Sequence, residues 1–515
     1  MWTNSVKCIS VTVALGLGQP AVAEQPLSAI DWLSQSVATP VAMPQPLGRD
    51  EAPTVTKGAM PEDVSVSTIG APSRDAVGLL PGSATGLPRA IWGGTPTARI
   101  AALLLDDGSQ PLPALQGLLY TLLLAEVEPP ADSDGNGTLL LARVDRLLDL
   151  GALDQASALL DEAGADDPES FRRWFDVALL LGEEDSACFT MRALPNVAPT
   201  FSARIFCLAQ GEDWTAAALT LQTAQALGFV TPEESAMLAR FLDPELFEDE
   251  PPLPQPARVT PLVWRMMEAV GQPLATARLP LAFANGDLRS NIGWKAQIEA
   301  GERLARSGAL AANRLLGLYD ARRPPASGGV WDRVAAVQAF DKAFAAQDAA
   351  RVAATLPAAF EQMTAGELEV VFADIYGQGL GKLALTGSAG ALAFRIGLLS
   401  PFYEAVAQSH TPGNSTEAFL AGVARGDLTG TIPPDGLGAA VRDGFTATSL
   451  PDDLAALTRD GRLGEAILLA RTLIQNGAEG EIGDVSTGLA VLRQVGLEDV
   501  ARRTALELML LERRG

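Results

Sequence analysis

From about residue 93 onward the chain repeats one local pattern: short Ala- and Leu-rich runs, apolar at three- and four-residue spacing, each closed by a polar or Gly-containing turn. That spacing is the period of an α-helix with one apolar stripe to bury. Helices this short are marginal alone in water and persist by packing on neighbours. The fold class expected is therefore all-α, built from helical hairpins. Thr95-Pro96 supplies the first start signal, Thr as N-cap and Pro at the first helical position. Leu112 to Val127 is the most apolar stretch, and it is shorter than the roughly 20 residues of a membrane span, so it reads as a buried core helix. Arg143 to Leu150 and Leu153 to Ala163 form a hairpin about Gly151, with Val144, Leu147 and Leu148 facing Leu153, Ala156, Leu159 and Leu160.

Ahead of the helices stands an export signal. Lys7 precedes an apolar stretch from Cys8 to Gly18, and Ala21-Val22-Ala23 offers a small-residue cleavage site before Glu24. The apolar stretch is too short to span a bilayer, and Cys8 lies before it rather than after it, so neither a membrane anchor nor a lipid anchor is expected. Residues 1–23 are read as a removable signal peptide and the mature chain as having no transmembrane span. Lys57, Lys295, Lys342 and Lys382 are then the only lysines left among many arginines, a bias typical of GC-rich bacterial coding. The expected location is the periplasm.

The charge narrows the partners. Lys and Arg number 38 against 62 Asp and Glu, a formal net charge of −24, and the cations are scattered among acids. Counterion release on nucleic acid needs clustered cations, so nucleic acid is excluded, and anionic membrane surfaces are disfavoured likewise. A protein or peptide partner in the envelope remains; the oligomeric state is left open.

Residues 24–92 form a Pro/Ala-rich arm, mostly irregular because prolines from Pro26 to Pro88 arrive too often for helices. Two islands interrupt it. Leu27 to Val37, with Leu27, Ile30, Leu33 and Val37 around Trp32, suits a short amphipathic helix that docks on the same protein or on a partner; Asp63 to Ile69 suits a single strand. The helical part divides into residues 93–244 and 261–515, joined by the acidic and Pro-rich linker 245–260, with a possible subdivision near 325 at Arg322-Arg-Pro-Pro-Ala-Ser-Gly-Gly.

Removing the signal takes Cys8 and leaves Cys188 and Cys207. An even pair in an oxidising compartment reads as one disulfide, joining the expected helices Glu183 to Leu194 and Thr200 to Gln210; two buried thiols packed as small apolar groups are the alternative. His410 is the only histidine, which removes His-based zinc sites and two-imidazole relays; its place before Thr411-Pro412-Gly413 suits a helix C-terminus. Asp132-Ser-Asp-Gly-Asn-Gly places Asp132, Asp134 and Asn136 like the first half of a calcium loop, but position twelve is Arg143 instead of Glu. An ordinary turn is expected there, and no metal site and no cofactor elsewhere. Trp264, Trp294, Tyr319, Arg322, Arg323 and Trp331 fall in one region and are candidates to line a groove, with core packing as the alternative.

Three turns, Gly151-Ala-Leu-Asp-Gln-Ala, Gly461-Arg-Leu-Gly-Glu-Ala and Gly496-Leu-Glu-Asp-Val-Ala, place Gly before a helix and a small Ala five positions on. In this the chain resembles the tetratricopeptide-like α-solenoids, which implies stacked helix-turn-helix repeats and a concave binding surface. An exported helical array is also similar to the soluble lytic transglycosylases, whose Glu-Ser motif would fall on Glu169-Ser170 or Glu234-Ser235; each lies at a helix start, where carboxylates serve capping, and the family's later motifs do not follow. Signal, arm and Ala-rich helices together resemble exported bacterial proteins known under the label antifreeze glycopeptide polyprotein. The flat Thr array that ice binding requires is not present, so that activity is not carried over.

The expectation is thus a periplasmic TPR-like scaffold that binds a protein or peptide, and not an enzyme. The alternatives are a cell-wall-active enzyme of the lytic transglycosylase type and an accessory protein of an envelope machine such as a flagellar motor or secretion apparatus.

Overall fold

Gly151, Gly461 and Gly496 adopt φ values of 72°, 72° and 87°, the left-handed region that a side chain resists. Each turn is followed two residues later by a helix: Leu153–Ala163, Leu463–Ala478 and Glu498–Leu510. The same Gly-turn-helix logic recurs along the chain. The computed structural model describes Ile30, Trp32, Leu33 and residues 73–106 and 112–511, and these are all-α, with no strand and a single isolated bridge between Leu80 and Ala125. The signal residues 1–23 and the Asp63 to Ile69 island lie outside the described residues.

Most helices pack on their chain neighbours, as Val330–Ala345 does on Ala349–Thr364 and Leu463–Ala478 on Ile482–Gln494. A second set of contacts joins the two ends. Thr97–Leu105 packs on Leu463–Ala478, and Pro113–Leu124 on Glu498–Leu510. Hydrogen bonds tie this seam: the Gly464 amide donates to the Ile91 carbonyl at 2.8 Å and the Ala114 amide to Glu507 Oε2 at 2.9 Å. Gly464 is required, because a Cβ there would come within 2.4 Å of the Trp92 ring. Nearest-neighbour stacking, the rule of an open helical array, is therefore supplemented by closure of first helices on last.

Two apolar cores result. The larger one collects side chains from Leu87 to Leu180 and from Trp264 to Leu511; the smaller one runs from Phe171 to Met267. Helix Pro168–Leu181 is their common wall, giving Val177 and Leu180 to one and Phe171, Phe175 and Leu179 to the other. Its Arg173 is wholly buried and pairs with Asp145 of helix Thr138–Asp149 through two bonds of 2.6 and 2.9 Å.

Residues 73–92, read as irregular arm, differ from that expectation. They hold two helical turns, Arg74–Ala76 and Gly82–Thr85, and bury Leu87, Ile91 and Trp92. The reason is a missing cap. Helix Thr138–Asp149 begins after Gly137, which has no side chain to satisfy its first amides, and the fully buried Asp75 accepts the Leu140 amide at 2.9 Å in its place. Helix Thr97–Leu105 starts one residue later than Thr95-Pro96 suggested: Asp132 accepts the Thr97 amide, and Thr95 instead donates its hydroxyl to Glu465 at 3.0 Å. In the first island, Ile30, Trp32 and Leu33 are buried on this same chain, Trp32 meeting the Phe283 ring at 5.5 Å.

Candidate functional site

Three helices begin with the same local grammar. Thr200, Thr231 and Thr260 precede Phe201–Gln210, Pro232–Leu242 and Pro261–Ala269, and each Thr hydroxyl accepts the third helical amide, from Ala203, Glu234 and Val263 at 2.9, 3.2 and 3.3 Å. Glu234 returns the bond to the Thr231 amide at 2.9 Å, completing a capping box. All three starts converge on one cleft of about 990 Å³ beside the smaller core.

The opposite wall is the extended segment 253–258, pinned where the Leu253 amide donates to Gln272 at 3.0 Å. Phe229, Met237, Leu262 and Met267 add apolar surface, Phe229 being stacked on Phe201 at 4.6 Å. Ser202 lines the cleft with its hydroxyl buried and without a hydrogen-bond partner. At one edge Arg258 donates to the Leu33 carbonyl at 2.7 Å, so Leu33 reaches the rim. The helix carrying Thr200 is stapled: Cys207 and Cys188 lie at disulfide distance, 1.97 Å between sulfurs, joining Phe201–Gln210 to Glu184–Ala193. This part of the fold also carries exposed apolar side chains, among them Phe189, Trp214, Leu219, Leu227 and Leu246.

Chemically the cleft offers apolar walls, a polar threonine edge, one unpaired hydroxyl and the positive ends of three helices, partly balanced by Glu233 and Glu234.

The aromatic and arginine candidates fall elsewhere. Trp294 and Trp331 meet at 5.0 Å, Trp294 donating to the Leu318 carbonyl, and Tyr319 is buried nearby with its hydroxyl on Glu302 at 2.8 Å. Trp264 is buried apart from them, against Phe283 and under Arg289, with its indole N–H on the Leu274 carbonyl. Arg322 and Arg323 are exposed beyond helix Ala312–Asp320. The structure therefore brings together Trp294, Tyr319 and Trp331 as packing and leaves the other three separate.

The calcium-like turn is taken up by helix capping. Asp132 receives the Thr97 amide and hydroxyl at 2.9 and 2.7 Å, which holds its carboxyl below the usual range, and Asp134 accepts the Asn136 amide. Arg143 is buried with its guanidinium on the carbonyls of Leu123, Val77 and Ala125; burial lowers its pKa to about 10. Among the described residues no group of three or more His, Cys, Asp or Glu side chains is placed to hold a metal, and no helix is long and apolar enough to cross a membrane. Glu169 pairs with Arg172 and Arg173 at 2.7 and 3.0 Å, and Glu234 is committed to its capping box. His410 ends helix Tyr403–Ser409, stacks on Phe394 and meets Glu417 Oε2 at 3.0 Å.

Sequence reasoning read Thr231-Pro232 only as a helix start and 245–260 only as a linker. The signals of two cleft walls were present, but nothing local says that they face each other. Comparison with protein-family models, with curated proteins and with solved structures yields no match.

Proposed function

We propose that the protein is a periplasmic scaffold whose cleft holds an extended, apolar peptide segment of a partner protein. The observation that carries this reading is the cleft itself, about 990 Å³ with apolar walls and a threonine edge. Its size falls at the upper end of ligand pockets, and two of its apolar side chains are methionines, which repack around varied partners. The polar edge supplies orientation and the apolar walls supply affinity. The repeat-like Gly turns and Ala helix contacts support the kinship with tetratricopeptide-like arrays, which use helix surfaces for the same task.

Photocrosslinking tests it. A photoreactive residue at Ala257, exposed on the cleft wall, is expected to capture an envelope protein in intact cells, and one at Ile432 is not. Equal capture from both positions, or none from Ala257, contradicts the reading. Export is tested separately: N-terminal sequencing of protein recovered from the periplasmic fraction is expected to begin at Glu24.

A further inference from the structure

A second, smaller cavity of about 220 Å³ opens where distant parts of the chain meet: helix Pro113–Leu124, the end of helix Trp294–Arg306 with the turn to Ala312, the start of helix Glu369–Leu380, and Arg503 of the last helix. It shares no lining residue with the peptide cleft. At roughly 30 Å³ per water it has room for about seven waters, too much for one structural water and less than the 300–1,000 Å³ of drug-sized sites.

Its inner wall holds a polar side chain with nothing to bond. Gln116 is 4% exposed, and neither its Oε1 nor its Nε2 has a hydrogen-bond partner. It stands among Leu115, Leu118, Leu119, Leu122 and Leu123 on the most apolar helix among the described residues, where an unmet amide is costly and rarely kept. One turn on, at i+4, the Tyr120 hydroxyl is also buried and without a hydrogen bond of normal geometry. The nearby Ser307 donates its own hydroxyl to the carbonyls of Leu150 and Leu304 and so offers Tyr120 only an accepting lone pair.

The rim carries both signs of charge. Arg306, Arg503, Glu367 and Asp374 all line it. Arg306 spends one nitrogen on the Gly366 carbonyl at 2.9 Å; burial raises the Asp374 carboxyl above its ordinary range, the nearby Arg503 charge opposing that rise without an ion pair between them. A purely anionic ligand meets the two carboxylates, a cation meets the two guanidinium groups, and an apolar one leaves Gln116 unmet. A small molecule with both charges suits Arg503, Asp374 and Gln116 together.

We propose that this cavity binds a small zwitterion of the α-amino-acid class, its carboxylate on Arg503, its ammonium on Asp374, and its remaining polar valences on Gln116 and Tyr120. The site is independent of the peptide-cleft reading. A guanidinium–carboxylate pair fixes one end of the ligand in geometry that a point charge would not.

Calorimetry on the exported chain with L-alanine and L-glutamine, against propionate and propylamine, tests it. The zwitterions are expected to bind and each singly charged analogue to bind at least about tenfold more weakly, the loss of one charged hydrogen-bond set. Arg503→Gln and Gln116→Leu are each expected to weaken L-glutamine by about tenfold or more, whereas Ala236→Trp in the other cleft leaves it unchanged. Gln116→Leu removes the unmet amide and is expected to melt no lower than the parent; should it fail to fold, Arg503→Gln on the rim carries the test alone. No binding of either amino acid, equal binding of propionate, or affinity unmoved by Arg503→Gln overturns the proposal and leaves a water-filled cavity.

Discussion

Breaking the Cys188–Cys207 link perturbs one covalent bond and no packing atom, so its effect can be worked in advance. The two cysteines are 19 positions apart, and each is 1% exposed within the smaller core. Closing a loop of about 20 residues removes unfolded-state freedom worth about 3 kcal/mol, or about 150-fold in the folding equilibrium. The link joins helix Glu184–Ala193 to Phe201–Gln210, which carries one wall of the cleft, so the loss belongs to the part of the fold that holds the cleft. Urea unfolding with and without a strong reductant, followed by tryptophan fluorescence, measures it; Trp174 and Trp214 lie in or beside this region. The transition reporting this core is expected to move to lower urea by the equivalent of about 3 kcal/mol. A shift below about 1 kcal/mol, or two titratable thiols in the folded exported protein, refutes the reasoning.

Three further outcomes are expected. Arg173→Met strands the buried Asp145 carboxylate and should cost about 3–5 kcal/mol by denaturant titration, and adding Asp145→Leu should recover most of that loss, since an apolar pair leaves no buried charge. Burial alone would raise the Asp167 carboxyl, but hydrogen bonds from Ser170 and the Arg74 guanidinium outweigh it and hold it below its ordinary range. With the folded value depressed, its stabilisation is present above about pH 4 and is lost as pH falls through that lower value, so Asp167→Asn, which keeps the N-cap oxygen, should flatten the acid limb of the melting profile. Trp32→Ala should lower stability by about 3 kcal/mol, because it empties the contact on Phe283; an unchanged melting point means the N-terminal island does not hold to this surface.

What the sequence made legible was local. The Gly151 turn, the helix from Leu153, the two cysteine-bearing helices and the helix start ahead of Glu234 all follow from residues within one helical turn of each other. What it hid was supplied from far along the chain. Asp75 caps helix Thr138–Asp149, Asp132 caps Thr97–Leu105, and Glu507 caps Pro113–Leu124 across 393 positions. A helix start without its own cap looks weak in sequence, and the carboxylate that rescues it looks like surface charge. Arg143 shows the same blindness: read as a cation that spoils a calcium loop, it is a buried donor to three carbonyls that fastens residue 77 to the helices. The prolines after Glu250 read as a linker because their composition is that of one, yet residues 253–258 wall the cleft.

The central claim is that the cleft between the three threonine-capped helices binds an extended apolar peptide. Selecting a displayed random-peptide library on the exported chain, then titrating the enriched peptides against the parent and against Ala236→Trp and Ala257→Trp, tests it most directly, since both positions are exposed on the cleft and outside the core. The account predicts enrichment of apolar sequences and a loss of affinity of about tenfold or more in both variants, the loss expected when a bulky ring fills the space a side chain would occupy. Failure to enrich any peptide, or binding that both tryptophans leave intact, contradicts it.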